Sequence, residues 1–374
     1  MPENNAVSSL VEIVNCTKCA AELKFQPGTE HLVCPYCGTQ NEITDHTVVI
    51  EEIDYESFIR NSLKDEEKLE VVDVKCSACG ANTTFPPGVS SMDCPYCSNS
   101  LVMEGGNNST LLKPKAILPF KITEKEAKDH FKKWLKGKWF LPGKLKDVQR
   151  LDDKIVGIYI PYWTFDSKTR TQYRGQRGIH YTDTVRVQQM VNGKMVTTTQ
   201  TVIKTRWNNV SGNVNVNFDD TLIVACTSLD SKYIDYLEPY DLHNLVPFDE
   251  KFLSGFRTEI YQIGVQEGFG LVKVKMGHII RGHILQDIGG DKQRINSSQT
   301  QFDDVSFKHI LLPIWVSAFK YNNKVYRFLI NGRTGETHGD RPYDKWKIAI
   351  TILSSILLAL IIVAIVKYVQ NGSL

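Results

Sequence analysis

Polar and apolar positions divide the chain into stretches of different period. From residue 155 onward, short apolar runs alternate with polar residues, the pattern of half-buried strands. Residues 185–191 and 195–202 alternate on either side of Asn192-Gly193, a pair suited to a two-residue hairpin turn. Further strands are expected at 222–225, 271–274, 278–285, 314–321 and 325–330, and a helix at 253–265. Earlier in the chain the period is helical. Thr123-x-x-Glu126 forms a capping box ahead of Ala127, Phe131, Trp134 and Leu135, which share one helical face, and Gly137 can close that helix. Tyr55, Phe58, Ile59, Ser62 and Leu63 suggest a short amphipathic helix in an acidic stretch. Residues 348–366 show no period at all: 19 consecutive uncharged residues, with only Thr351, Ser354 and Ser355 polar. As a helix this run is ~28 Å long, the thickness of a bilayer's hydrocarbon core.

A repeat organises the N-terminal third. Cys16, Cys19, Cys34 and Cys37 recur as Cys76, Cys79, Cys94 and Cys97, each shifted by 60 positions. Phe25, Pro27 and Gly28 return as Phe85, Pro87 and Gly88, and Cys-Pro-Tyr-Cys occurs at 34–37 and 94–97. Each copy has the spacing C-x2-C-x14-C-x2-C, which brings two close thiolate pairs to one tetrahedral ion. Two structural Zn2+ ions are therefore expected, one per ribbon. A four-cysteine site is closed and performs no chemistry; it supplies the stability that a ribbon of this size cannot obtain from its own core. Disulfides would need an oxidising compartment, and no secretory signal precedes residue 16. Cys-Pro-Tyr-Cys also resembles a glutaredoxin motif, but here each copy has an upstream C-x2-C partner. The ninth cysteine, Cys226, reads as a small core residue.

The net charge of +2 conceals a division. Residues 1–104 hold six Lys/Arg against seventeen Asp/Glu, a net of −11, and the remainder is net +13. Nucleic-acid binding depends on Lys/Arg neutralising phosphates, so acidic ribbons argue against it and favour a basic protein surface. The basic surroundings of residues 125–146 suit either a helix packed on its domain or one lying against anionic lipid. At the C-terminal run, Arg341, Lys345, Trp346 and Lys347 precede and Lys367 and Tyr368 follow. That asymmetry places the N-terminal bulk in the cytoplasm and the short C-terminus outside, a single-pass cytoplasmic-membrane protein inserted as tail anchors are.

The expected fold class is α+β: two small N-terminal zinc ribbons, a β-rich antiparallel globular region and one C-terminal transmembrane helix. The expected divisions are a tail (1–14), ribbon one (15–44), an acidic linker with a short helix (45–74), ribbon two (75–104), a flexible linker (105–112), the β-rich domain (113–340), the membrane helix (346–368) and a short tail (369–374). A weak echo relates Ile160-Pro161-Tyr162-Trp163 to Leu312-Pro313-Ile314-Trp315, and Leu118-Pro119-Phe120 to Val246-Pro247-Phe248, as though two lobes were related. No catalytic constellation stands out. His278 and His283 would fall on opposite faces of a strand, and Asp219-Asp220 and Asp303-Asp304 read as turns. The expectation is a protein that is not an enzyme.

Taken in order, the paired Cys-Pro-Tyr-Cys knuckles, Leu118-Pro119-Phe120, residues 160–166, Phe218-Asp219-Asp220, residues 253–256, residues 309–315, residues 331–335 and the C-terminal span resemble a bacterial family of membrane-anchored double-zinc-ribbon proteins, the YdjG-like group. Its members carry labels such as TFIIB-type zinc ribbon or primosomal-helicase-like, although no helicase motif is present here. The resemblance implies partnership with PspA-like and flotillin-like (SPFH) proteins in envelope stress, and no catalytic residues. The functional expectation is a membrane-anchored adaptor for cytoplasmic proteins. The alternative is a membrane-tethered nucleic-acid-binding protein.

Overall fold

The computed structural model describes residues 14–43, 49–61, 68–85, 91–97, 99–102, 107–143, 155–191, 194–229, 231–322 and 324–371. Its framework is three very long strands, Val156–Val191, Lys194–Val224 and Lys292–Tyr321. The first runs antiparallel to both others, from Tyr162↔Val224 to Val191↔Lys194 on one side and from Val156↔Val316 to Gly178↔Lys292 on the other. Pairing of Val191 with Lys194 fits the expected two-residue connection, although Asn192-Gly193 itself lies outside the described residues. With two ribbons, this β-rich sheet and, among the described residues, four shorter α-helices and the C-terminal helix, the chain is α+β.

The base of the sheet is buried on both faces. Tyr159, Phe120, Phe256 and Trp315 fill one side; Ile158, Ile160, Tyr162, Leu312 and Tyr240 fill the other. Ala116–Ile117 adds parallel to the third long strand, Val246–Pro247 adds antiparallel to Ala116–Ile117, and Lys324–Asn331 extends the sheet from residues 314–321. This arrangement explains the echoed text. Ile160 pairs with Leu312 and Pro161 with Leu311, while Ile117 pairs with Val246. The echoes are neighbouring strands of one sheet, not two lobes.

Beyond Phe165 the three strands leave the base as a blade. Ser167, Thr169, Thr171 and Tyr173 are buried on one face, while Lys168, Arg170, Gln172 and Arg174 are exposed on the other. The helix Val265–Ile288 covers the inner face, a correction to the strands expected at 271–274 and 278–285. Its buried stripe is Val265, Phe269, Val272, Met276, Ile280, Ile284 and Ile288, an almost unbroken four-residue recurrence. Exposed Leu271, Val274 and Ile279 hide that period in the sequence. His278 and His283 are both exposed on this helix. A Cβ at Gly212 would sit 2.7 Å from the Tyr173 hydroxyl and 2.8 Å from the Asp287 carboxylate, so these side chains would have to shift to admit one.

The helix expected at 253–265 is also corrected. Glu250–Leu253 is a short 3-10 turn, Gly255 has φ +88°, and Arg257–Thr258 is a strand beside Ile158–Tyr159. Backbone groups that a helix would consume internally are committed instead to the sheet and the ribbons. Asn107–Leu112, expected within a flexible linker, forms a strand on Lys68–Lys75. Its end is fixed where the Leu112 amide donates to the Tyr261 hydroxyl. The Asp pairs do not mark turns. Asp220 and Asp304 take φ of +48° and +50° inside the long strands, beside register shifts at Phe165/Ser167 and Asp166/Lys168, so they shape β-bulges at the blade's root.

Past Gly178 the third strand has ended and, among the described residues, Ile179–Val191 pairs only with Lys194–Arg206. This two-stranded arm is ~40 Å long at strand rise. Finally, Lys345–Asn371 is one continuous helix. Its stretch Lys345–Val369 is long and apolar enough to cross a membrane and is not buried against the protein. The Thr351, Ser354 and Ser355 hydroxyls donate to carbonyls of their own helix, at 2.8–2.9 Å.

Candidate metal centres

Each C-x2-C pair is built on a tight turn. The amides of Ala20, Gly38 and Gly80 donate back to the carbonyls of Cys16, Cys34 and Cys76 at 2.8–3.0 Å, with all three residues at positive φ. The hairpin Lys24–Phe25 with His31–Val33 returns the second pair in ribbon one. The result is Cys16 Sγ 3.6 Å from Cys37 Sγ and Cys19 Sγ 3.5 Å from Cys34 Sγ. Ribbon two repeats this with 3.6 Å for both Cys76–Cys97 and Cys79–Cys94. Within each group the four sulfurs lie within 4.8 Å of one another. A tetrahedron with Zn–S of about 2.3 Å has sulfurs about 3.8 Å apart, whereas a disulfide would bring two of them to about 2.05 Å. The eight cysteines named from spacing thus assemble into two groups, each of which could hold one structural Zn2+. Cys226 stands apart, buried.

Neighbouring groups shift the ribbon-one thiols in opposite directions. The Thr39 hydroxyl and amide lower the Cys37 thiol to about 6. An Ala21 amide favours the Cys19 thiolate, but hydrogen bonds with Cys34 and Cys37 push its thiol up to about 12. Four thiolates this close need a cation between them.

The ribbons do not stand apart on linkers; both dock on the segment 252–260. For ribbon one, the Phe25 amide donates to the Ser254 carbonyl at 3.0 Å and the Ser254 hydroxyl donates to the Leu23 carbonyl at 2.7 Å. Phe25 packs edge-on against Phe252 at 5.2 Å. For ribbon two, the Thr84 hydroxyl donates to the Thr258 carbonyl and Arg257 donates to the Asp93 carbonyl, at 2.9 and 2.6 Å. The two knuckle tyrosines then diverge. Tyr36 is 82% exposed, while Tyr96 is fully buried and donates its hydroxyl to Glu259.

Glu259 is a residue the sequence offered no signal for. It is buried, and also accepts from the Ser228 hydroxyl and from Gln262 Nε2. Burial pushes its carboxyl up to about 7 despite those donors. His309 is likewise buried, donating Nδ1–H to the Leu112 carbonyl, and burial drives its imidazole down to about 4, so it is neutral. At the blade's root Lys308 bridges Glu52 and Asp220 at 3.0 and 2.8 Å, and the Ser306 hydroxyl donates to Glu52 and Asp166. Burial and the Glu52 charge raise the Asp166 carboxyl to about 7. One cation facing three carboxylates accounts for one of them keeping its proton.

Comparison with known proteins extends this picture. The chain is similar to the uncharacterized protein YdjG of Bacillus subtilis (strain 168), 26% identical over 335 residues. The match spans 89% of this chain and 91% of that protein, which supports a YdjG-like grouping over most of the chain. No protein-family profile matches the chain, and no solved structure matches it.

Proposed function

We propose that this protein is a non-enzymatic, membrane-anchored adaptor that docks cytoplasmic proteins at the inner face of the bacterial membrane. The observation that carries this reading is the two-stranded arm. An isolated two-stranded hairpin is marginal in water. This one exposes Met190 (72%), Met195 (63%) and Ile203 (71%), apolar and flexible side chains that suit a protein partner. The helix 345–369 spans the bilayer, and the basic residues on its N-terminal flank set the arm on the cytoplasmic side. The zinc ribbons brace segment 252–260, with ribbon one's Tyr36 knuckle offering a second contact. By its resemblance to the YdjG-like group, the partners are PspA-like and SPFH-like proteins acting in envelope stress.

The experiment is affinity purification of the full-length protein from native membranes in mild detergent, with mass spectrometry of what accompanies it. A triple variant Met190→Ser, Met195→Ser, Ile203→Ser should lose the partner while retaining zinc and membrane insertion. A Cys76→Ser, Cys79→Ser variant separates ribbon two's contribution. Partner recovery unaffected by the arm variant would overturn the docking assignment, and recovery of nucleic acid instead would favour a membrane-tethered nucleic-acid-binding protein.

A further inference from the structure

The segment that follows the helix Glu124–Lys136 meets the start of the C-terminal helix. The Asp344 amide donates to the Phe140 carbonyl at 2.8 Å, and Lys347 Nζ donates to the Leu141 carbonyl at 2.6 Å. Lys347 is the last residue before the apolar run that begins at Ile348. These two bonds therefore fix residues 140–141 at the level where the membrane span starts. The helix Glu124–Lys136 is polarised along its axis, with Glu124 and Glu126 in the first turn and Lys133 and Lys136 in the last. Lys138 follows directly, so the basic end is the one tied to the span. Beside it, Trp139 is 77% exposed, close to the 80% of Trp346 at the head of the span. Indole side chains with an apolar body and one N–H donor concentrate at bilayer interfaces.

We infer that Lys133–Trp139 is a second membrane contact, lying on the anionic headgroups of the bilayer that the C-terminal helix spans. Trp139 sits in the interface, and Lys133, Lys136 and Lys138 face lipid phosphates and carboxylates. Charge complementarity favours this surface, because lysines held within a Debye length of an anionic leaflet gain from its potential. Continuity with the span removes most of the entropic cost, since the hydrogen bonds to 344 and 347 already hold the segment at the membrane. A single span would leave the domain free to swivel about it; a second contact fixes which way the blade and arm point. This inference rests on the reading of 345–369 as a membrane span.

The test uses the full chain in nanodiscs of phosphatidylcholine alone, or with phosphatidylserine added, both with acyl chains brominated near the headgroup to quench tryptophan. Wild type is compared with Trp139→Phe, Trp346→Phe and the triple variant Lys133→Gln, Lys136→Gln, Lys138→Gln, all checked for unchanged zinc content. The expected result is a quenched component that Trp139→Phe removes, larger with phosphatidylserine and lost in the lysine variant or in high salt. Trp346→Phe should remove a quenched component in both lipid mixtures. Trp346 quenched with Trp139 unquenched overturns the second contact and leaves the span intact, while Trp139 quenched equally in both mixtures overturns its assignment to anionic headgroups. Absence of any Trp346 component overturns the span and this inference together.

Discussion

Two copies of one motif, sixty residues apart, isolate what a single side chain contributes. At the first knuckle Ala20 holds φ +59°, where the second ribbon has Gly80 at +78°. An alanine in the left-handed region costs roughly 1 kcal/mol relative to glycine. Ala20→Gly should therefore stabilise ribbon one by about that amount, read as slower zinc loss to a chelator. The tyrosines offer a matched pair. Tyr96→Phe removes a buried donor from Glu259 and should cost ~1–3 kcal/mol, whereas Tyr36→Phe, on the exposed copy, should cost almost nothing in chemical denaturation.

At the scale of elements, the helix Val265–Ile288 is the part most easily misread. Its assignment has a sharp consequence: Ile280→Ala should cost ~2–5 kcal/mol and Ile279→Ala close to zero, because only the first faces the blade. A strand through the same residues would bring a different set inward. The docking of ribbon two carries a pH signature. Glu259 has its carboxyl raised to about 7 from an ordinary 4.5, chiefly by burial. As pH rises from about 4.5 to 7 the unfolded chain gives up this proton and the folded protein keeps it. Stability from this group is therefore highest in acid and falls by on the order of 3 kcal/mol across that window. Asp166 adds a slope of the same sign, so the difference between wild type and Glu259→Gln isolates Glu259. The variant should show the flatter pH profile in denaturant titrations.

For the molecule as a whole, anchor and ribbons should fail independently. Leu358→Arg places a charge mid-span, where insertion costs about 2.5–3.5 kcal/mol, and should shift the protein from the carbonate-resistant to the soluble fraction with its zinc retained. Cys76→Ser with Cys79→Ser should lower bound zinc from two ions to one by elemental analysis and leave insertion unchanged.

What the linear text determined by itself was local. Cysteine spacing depends on turn geometry a few residues long, the capping box at Thr123 and Glu126 is one helical turn, and an uncharged run of bilayer length needs no partner to be recognised. The hairpin at 185–202 was legible for the same reason, since alternation and a two-residue turn are short-range signals. Only the tertiary structure decided the rest, because it depends on which surfaces meet. Asn, Gln, Ser and Thr alternate through 167–178 and 207–217 without an apolar face strong enough to announce a strand, and it is the helix Val265–Ile288 laid across them that makes the blade. That helix in turn shows its stripe only once exposed Leu271, Val274 and Ile279 are set aside. Glu259 gained its character from Tyr96, 163 residues away, and from burial, and identical Cys-Pro-Tyr-Cys text gave one buried and one exposed tyrosine because only one ribbon brings its knuckle to Glu259. Burial is a property of the assembled neighbours, so no pattern confined to one segment can state it.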